Sequence, residues 1–230
     1  MKVVYTGLES SGKSLMLAMK AKDILHRNAK WFRKSGIARP IVSNIIFSDT
    51  FLDEAKAAHV PVHVWKNLDE LIEWRDADVF IDELGTYFDS RTWSDLSLDV
   101  RRWIAQGAKS GIEMYAAAQD FAQVDVSFRR LTTLVFNIQK IIGSPRPTAT
   151  RPPVKYIWGV CIKWELNARS FKQNEADMEL AWMFPSFFFI RRIFCELFDT
   201  KQFLKRSDPP QLKHTERFCP TCGQTKIYHE

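Results

Sequence analysis

Gly7-Leu8-Glu9-Ser10-Ser11-Gly12-Lys13-Ser14 has the pattern G-x-x-x-x-G-K-S of a phosphate-binding loop, and its reading decides the fold. It follows the short apolar run Val3-Val4-Tyr5 and precedes the helix-forming stretch Leu15-Met16-Leu17-Ala18-Met19. Such a loop works only where a buried strand hands the chain to a glycine-rich turn that opens a helix. Backbone N–H groups and the helix N-terminus then wrap polyphosphate oxygens together. The motif assigns residues 7–14 to nucleotide binding, with Lys13 reaching the β- and γ-phosphates and the Ser14 hydroxyl ligating Mg²⁺.

Outward from the loop the chain alternates. Residues 14–35 read as a long helix ending in cations before Gly36, and 40–47 as a strand. A helix is expected over 53–58, an extended piece over 60–65, a further helix over 68–74 and a strand over 78–81. After a variable loop come a helix over 98–109 broken by Gly111, a strand over 112–118, a helix over 126–131 and a strand over 133–138. This rhythm predicts an α/β fold: a mainly parallel sheet with helices on both faces. Four prolines within 143–153 interrupt it as a stiff loop. Beyond them, alternating apolar residues over 154–164 predict a strand, or a hairpin bent at Gly159. The expected organisation is a nucleotide-binding domain over 1–142, the proline-rich loop over 143–153, and a C-terminal extension over 154–230.

Asp78-Val79-Phe80-Ile81-Asp82-Glu83 is an apolar strand ending in two adjacent carboxylates, the form of a Walker B element. Neighbouring residues at a strand end point to opposite sides, so the two take different roles. Asp82 is expected in the Mg²⁺ shell beside Ser14, and Glu83 as the base that activates water. Asp82-Glu83-Leu84-Gly85 also fits D-x-x-G, but no N-K-x-D guanine-reading element follows, which favours ATP over GTP. Gln119 ends the next strand, at the edge where open α/β sheets bind ligands, and is placed to sense the γ-phosphate.

The 230-residue chain is 46% hydrophobic, enough for a packed core, and holds no run of about 18 uncharged apolar residues. Its net charge of +6 is uneven: residues 1–139 carry 18 Lys/Arg against 18 Asp/Glu, and residues 140–230 carry 15 against 9. A basic C-terminal third suits a polyanion, nucleic acid first, or equally a solvated basic surface. Cysteine usage fits a reducing compartment, the cytoplasm, rather than a disulfide framework. Cys219-Pro220-Thr221-Cys222-Gly223 has zinc-knuckle spacing, with His214 and His229 placed to complete four ligands for Zn²⁺ and Cys195 more remote; a reduced, metal-free tail is the alternative. The aromatic stretch 182–192 reads either as an arm packed on the sheet or as a membrane-surface or capsid-docking segment.

The order of these elements resembles one family. The N-terminal P-loop, Ser43-Asn44, Ile81-Asp82-Glu83 followed by Phe88 and Arg91, the turn over residues 105–111, and Gln119 with Asp125 and Arg129 look like the zonular occludens toxin family of phage ATPases. That family is a branch of the FtsK–HerA superfamily of DNA-pumping motors. The resemblance covers about residues 1–140 and implies a homo-oligomeric ring that uses ATP to move DNA. It also implies a cation supplied to a neighbour's γ-phosphate, for which Arg129 is the first candidate, before Arg130, Arg102 and Arg91. Assembly ATPases of filamentous phages typically carry a membrane span after the ATPase domain, and this sequence has none. The expectation therefore moves from extrusion toward genome packaging into a capsid, with a capsid or portal-vertex protein as partner and a place in the host cytoplasm or on the virion. A nucleotide-gated adaptor that binds nucleic acid without multiple turnover is the reading from a different class.

Overall fold

A computed structural model describes residues 1–9, 11–143, 158–166 and 185–191, Leu197, and the pairs 217–218 and 225–226. The chain divides into two compact units, Met1–Phe198 and Asp199–Glu230.

The first unit is built on one sheet. Its strands are β1 (Lys2–Thr6), β2 (Ile41–Ser43), β3 (Val62–Val64), β4 (Asp78–Ile81), β5 (Glu113–Ala118), β6 (Leu134–Gly143), β7 (Trp158–Glu165) and β8 (Ser186–Arg191). Their order across the sheet is β3-β2-β4-β5-β1-β6-β7-β8. From β3 to β6 every pairing is parallel, and β7 and β8 add antiparallel. The helices are α1 (Lys13–Ser35), α2 (Asp49–Ala57), α3 (Leu84–Phe88), α4 (Leu98–Gln106) and α5 (Val126–Leu131). One face of the sheet packs with Leu17, Ala21, Ile24 and Leu25 of α1 and Phe51 of α2. The other packs with Leu84 and Phe88 of α3, Val100 and Ile104 of α4, and Phe128 of α5. The mainly parallel sheet with helices on both faces is therefore as expected. β1, β4 and most of β5 are buried along their length, as strands covered on both faces must be.

Local chemistry sets the limits of these elements. Gly36 adopts φ 70° and donates its N–H to Phe32 O at 2.8 Å, closing α1 where the sequence placed its stop. β2 is shorter than the expected 40–47 because the Ser43 hydroxyl accepts the Ile45 N–H at 2.9 Å and turns the chain out of the ladder. α2 starts at Asp49, four residues before the expected helix, because Ser48 caps it. α3 was not foreseen at all. β7 is one strand rather than a hairpin bent at Gly159, which pairs with Gly143 on one side and Ile190 on the other. β8 is the described part of the aromatic stretch, so the sheet-packing reading holds for residues 186–191. Leu197 is buried, and its carbonyl accepts the Ser48 N–H at 2.9 Å.

In the second unit, β9 (Arg217–Phe218) and β10 (Thr225–Lys226) pair antiparallel. The zinc candidates His214, Cys219, Cys222 and His229, like Cys195, lie outside the described residues.

Candidate active site

Three neighbouring strands, β4, β5 and β1, end at the same edge of the sheet, and each delivers part of the site. β1 leads into the phosphate loop. Gly7 has φ +147°, and a Cβ there would stand 2.2 Å from Ile138 O, so the close passage of β6 admits only glycine. Gly12, at φ 99°, opens α1, and the Met16 N–H donates to its carbonyl at 2.9 Å. Leu8 and Glu9 are exposed, and Ser10 lies outside the described residues. Ser11 is buried, and among the described residues its hydroxyl has no hydrogen-bond partner.

Lys13 is buried within this loop, and its ammonium donates to Gly7 O and Leu8 O, both at 2.8 Å. The lysine thus folds back across the cradle that phosphate oxygens would enter. Burial lowers its pKa, against the attraction of Glu83, Asp82 and Glu9. Ser14 donates its hydroxyl to Asp82 Oδ1 at 3.2 Å, joining the phosphate loop to the end of β4.

β4 delivers the carboxylates. Asp82 is 5% exposed, and burial pushes its pKa from the ordinary 3.8 up to about 6. The Ser14 hydroxyl and the Glu83 N–H, which donates to Asp82 Oδ1 at 3.1 Å, hold it down in part. Glu83 stands at φ 55°, ψ 55°, a left-handed conformation that costs a non-glycine residue about 1–3 kcal/mol and clusters at functional sites. β5 ends at Ala118, and Gln119 beyond it directs its amide at Glu83, with Nε2 3.5 and 3.4 Å from the two carboxylate oxygens. The Thr6 hydroxyl of β1 donates to Gln119 O at 3.4 Å, tying the third strand to the second.

The structure therefore gathers Lys13, Ser14, Asp82, Glu83 and Gln119 into one place. It does not present Arg129 there. That side chain is 3% exposed, and its Nε donates to Val124 O at 2.9 Å, so the guanidinium is enclosed within its own fold. Arg91 and Arg130 are exposed, and Arg102 is exposed with a 3.6 Å pairing to Asp99. Two residues given no role from sequence also belong to the site. Asn44, beyond β2, bonds the backbone of Asp82; its signals in the sequence were a polar residue closing an apolar strand and its place in the family resemblance, neither of which gave it a role. Cys161 of β7 is buried and donates its thiol to Ser11 O at 3.4 Å, beneath the phosphate loop; nothing local in the sequence announces that contact.

The donor set fits magnesium. Ser14 and Asp82 offer hard oxygens a hydrogen bond apart, and Mg²⁺ is held by one or two such groups together with substrate phosphates. Among the described residues no group of three or more His, Cys, Asp or Glu could form an all-protein metal cage.

No family model matches the chain, and no curated protein sequence matches it. Solved structures do. The N-terminal domain of zonular occludens toxin from Neisseria meningitidis superposes over 86% of this chain and 98% of that domain, with TM-score 0.53 and 15% identity. B204, the DNA-packaging ATPase of Sulfolobus turreted icosahedral virus, covers 79% of this chain and 97% of its own, with TM-score 0.42 and 12% identity. The flagellar accessory protein FlaH from Methanocaldococcus jannaschii covers 78% and 87%, with TM-score 0.43 and 11% identity. At such identities the first likeness is one of fold: this chain has the fold of the zonular occludens toxin N-terminal domain.

Proposed function

We propose that this chain is an ATP-hydrolysing motor that moves DNA, and specifically one that packages a viral genome into a preformed capsid as a homo-oligomeric ring. The observation that carries the ATPase half is the meeting of Glu83 and Gln119 at adjacent strand ends, beside a phosphate loop joined to Asp82 through Ser14. Binding of the nucleotide transfers the Lys13 ammonium from Gly7 O and Leu8 O to phosphate oxygens, a charge-assisted exchange that opens the loop. Ser14 and Asp82 would hold Mg²⁺, which would supply positive charge to neutralise the phosphates. Glu83 accepts a proton from the attacking water as the new O–P bond forms and the bond from the γ-phosphorus to its bridging oxygen breaks, leaving ADP and phosphate. Gln119 now holds the carboxylate of Glu83 and must release it for that proton transfer. Turning its amide to the γ-phosphate both frees the base and reports that ATP has arrived.

DNA as the moved polymer is supported by the basic balance of residues 140–230 and by the order of motifs shared with DNA-pumping ATPases. In a ring, the cation given to a neighbour's nucleotide comes first from Arg91, Arg102 or Arg130, which are exposed. Arg129 could serve only after α5 opens. ATP turnover with and without DNA tests the proposal, with particle size measured on the same sample. Stimulation by DNA, loss of at least 100-fold in kcat for Glu83→Gln, and an assembly larger than a monomer are expected. Stoichiometric ATP binding without turnover would instead establish a nucleotide-gated adaptor.

A further inference from the structure

β2 and β4 pair up to Ser43 and Phe80, and the Asn44 N–H still donates to Phe80 O at 3.3 Å. One step further the side chain of Asn44 takes over the work of the ladder. The Asp82 N–H donates to Asn44 Oδ1 at 2.7 Å, and Asn44 Nδ2 donates to Asp82 O at 2.9 Å. Both peptide groups flanking Asp82 are thereby held by one amide that is itself 0% exposed. The same Nδ2 lies 3.4 Å from the Tyr87 hydroxyl on α3, the helix that begins directly after Glu83. Tyr87 in turn packs on Trp65, centroids 5.0 Å apart, and the Trp65 indole N–H donates to Phe80 O at 3.3 Å. The contacts close a loop around the Asp82–Glu83 peptide. That peptide needs holding, because Glu83 is forced into the left-handed region immediately beyond it, and such conformations persist only where the surroundings over-determine them.

We propose that Asn44 is a positioning residue: its carboxamide sets the backbone on both sides of Asp82, so that Asp82 meets Ser14 and the metal while Glu83 faces the nucleotide. An amide is the group this position requires. Aspartate has no N–H for Asp82 O and would set a carboxylate against that carbonyl, whereas alanine leaves a buried donor and a buried acceptor without partners. The catalytic part of this role rests on the ATPase reading above, and the metal part does not.

The full-length protein is tested as wild type, Asn44→Ala and Asn44→Asp. Binding of a fluorescent non-hydrolysable ATP analogue is titrated with Mg²⁺ and repeated in EDTA, and turnover is measured alongside. Expected for Asn44→Ala are unchanged affinity in EDTA within twofold, at least a fivefold rise in the Mg²⁺ needed for half-maximal effect, and at least a tenfold fall in kcat with KM within threefold. Asn44→Asp, which sets a buried carboxylate against Asp82 O, is expected to lose at least as much turnover as Asn44→Ala, and wild-type turnover in it overturns the requirement for an amide. A folded Asn44→Ala with wild-type Mg²⁺ dependence overturns the proposal. Amide exchange of the wild type tests it without any variant: the Asp82 N–H should exchange as slowly as those of β4, and exchange at the rate of exposed amides overturns the clamp. Magnesium-dependent binding without turnover in the wild type would remove the ATPase reading, while the Mg²⁺ shift in Asn44→Ala would still support the positioning role.

Discussion

Asp82 stands where metal chemistry and folding pull apart. Burial raises its pKa from 3.8 to about 6, so the folded protein holds this proton more tightly than the unfolded chain. On this group's account stability falls as pH rises from about 4 to about 6 and stays lowered above it. Two pKa units correspond to roughly 3 kcal/mol as an upper figure. Asp82→Asn keeps the shape without the charge and is expected to be more stable than the wild type by about 1–2 kcal/mol at pH 7.5, with no advantage at pH 4; thermal unfolding across pH checks this. The same substitution should abolish Mg²⁺-dependent turnover. Because a metal ligand must be ionised, Mg²⁺-dependent nucleotide binding by the wild type should also weaken as pH falls through about 6, which a titration at pH 5 and pH 7.5 would show. Gly7→Ala forces a Cβ against Ile138 O at a φ that L-residues rarely adopt; a loss of about 2–4 kcal/mol in denaturant unfolding and of nucleotide binding is expected. Lys13, Ser14 and the two carboxylates were legible as site candidates because motif spacing is a local property. Asn44 was not legible as a clamp, because its partner is 38 positions away and is bonded through backbone atoms that carry no sequence signal.

At the scale of elements, the end of the sheet opposite the site is tied by Asp78, the first residue of β4. It is 0% exposed and accepts from Arg27 Nη2 at 2.7 Å, Asn28 Nδ2 at 2.8 Å and Arg39 Nε at 2.9 Å. Arg39 also donates to Gly111 O and Ala77 O, and Arg27 to Glu113, so α1 and the approach to β2 meet on one carboxylate, and the start of β5 joins them through Arg27. Removing that acceptor takes one partner from each of these donors, of which only Asn28 is buried. Asn28 keeps Arg39 O, Arg27 keeps Glu113, and Arg39 keeps Ala77 O and Gly111 O. Asp78→Ala is expected to cost about 1–3 kcal/mol in equilibrium unfolding, while any protein that remains folded binds nucleotide normally. Elements with strong periodicity or a clear stop, such as α1 and β4, could be read within a residue or two. α3 could not, since five residues following a strained glutamate have no period of their own and are fixed by packing Phe88 on Phe128, centroids 5.0 Å apart.

For the molecule as a whole, the sheet is continued by β7 and β8 within the unit Met1–Phe198. β7 sets Cys161 beneath the phosphate loop, and Leu197 packs in the core beside Phe51. A chain ending at Gly143 should therefore fail to fold, since it strips a paired strand and buried Cys161 from the sheet; a thermal melt beside the full-length protein decides. From the order of residues alone came the phosphate loop, the carboxylate pair, the alternation of strands with helices and the basic balance of residues 140–230, because all of these lie in spacing and composition. Only the tertiary structure decided that β4, β5 and β1 are neighbours, that Gln119 lies on Glu83, that Asn44 grips Asp82 and that Arg129 is enclosed. Each of those depends on which distant segments share a ladder, and that choice is made by the burial and hydrogen bonding of the whole sheet at once.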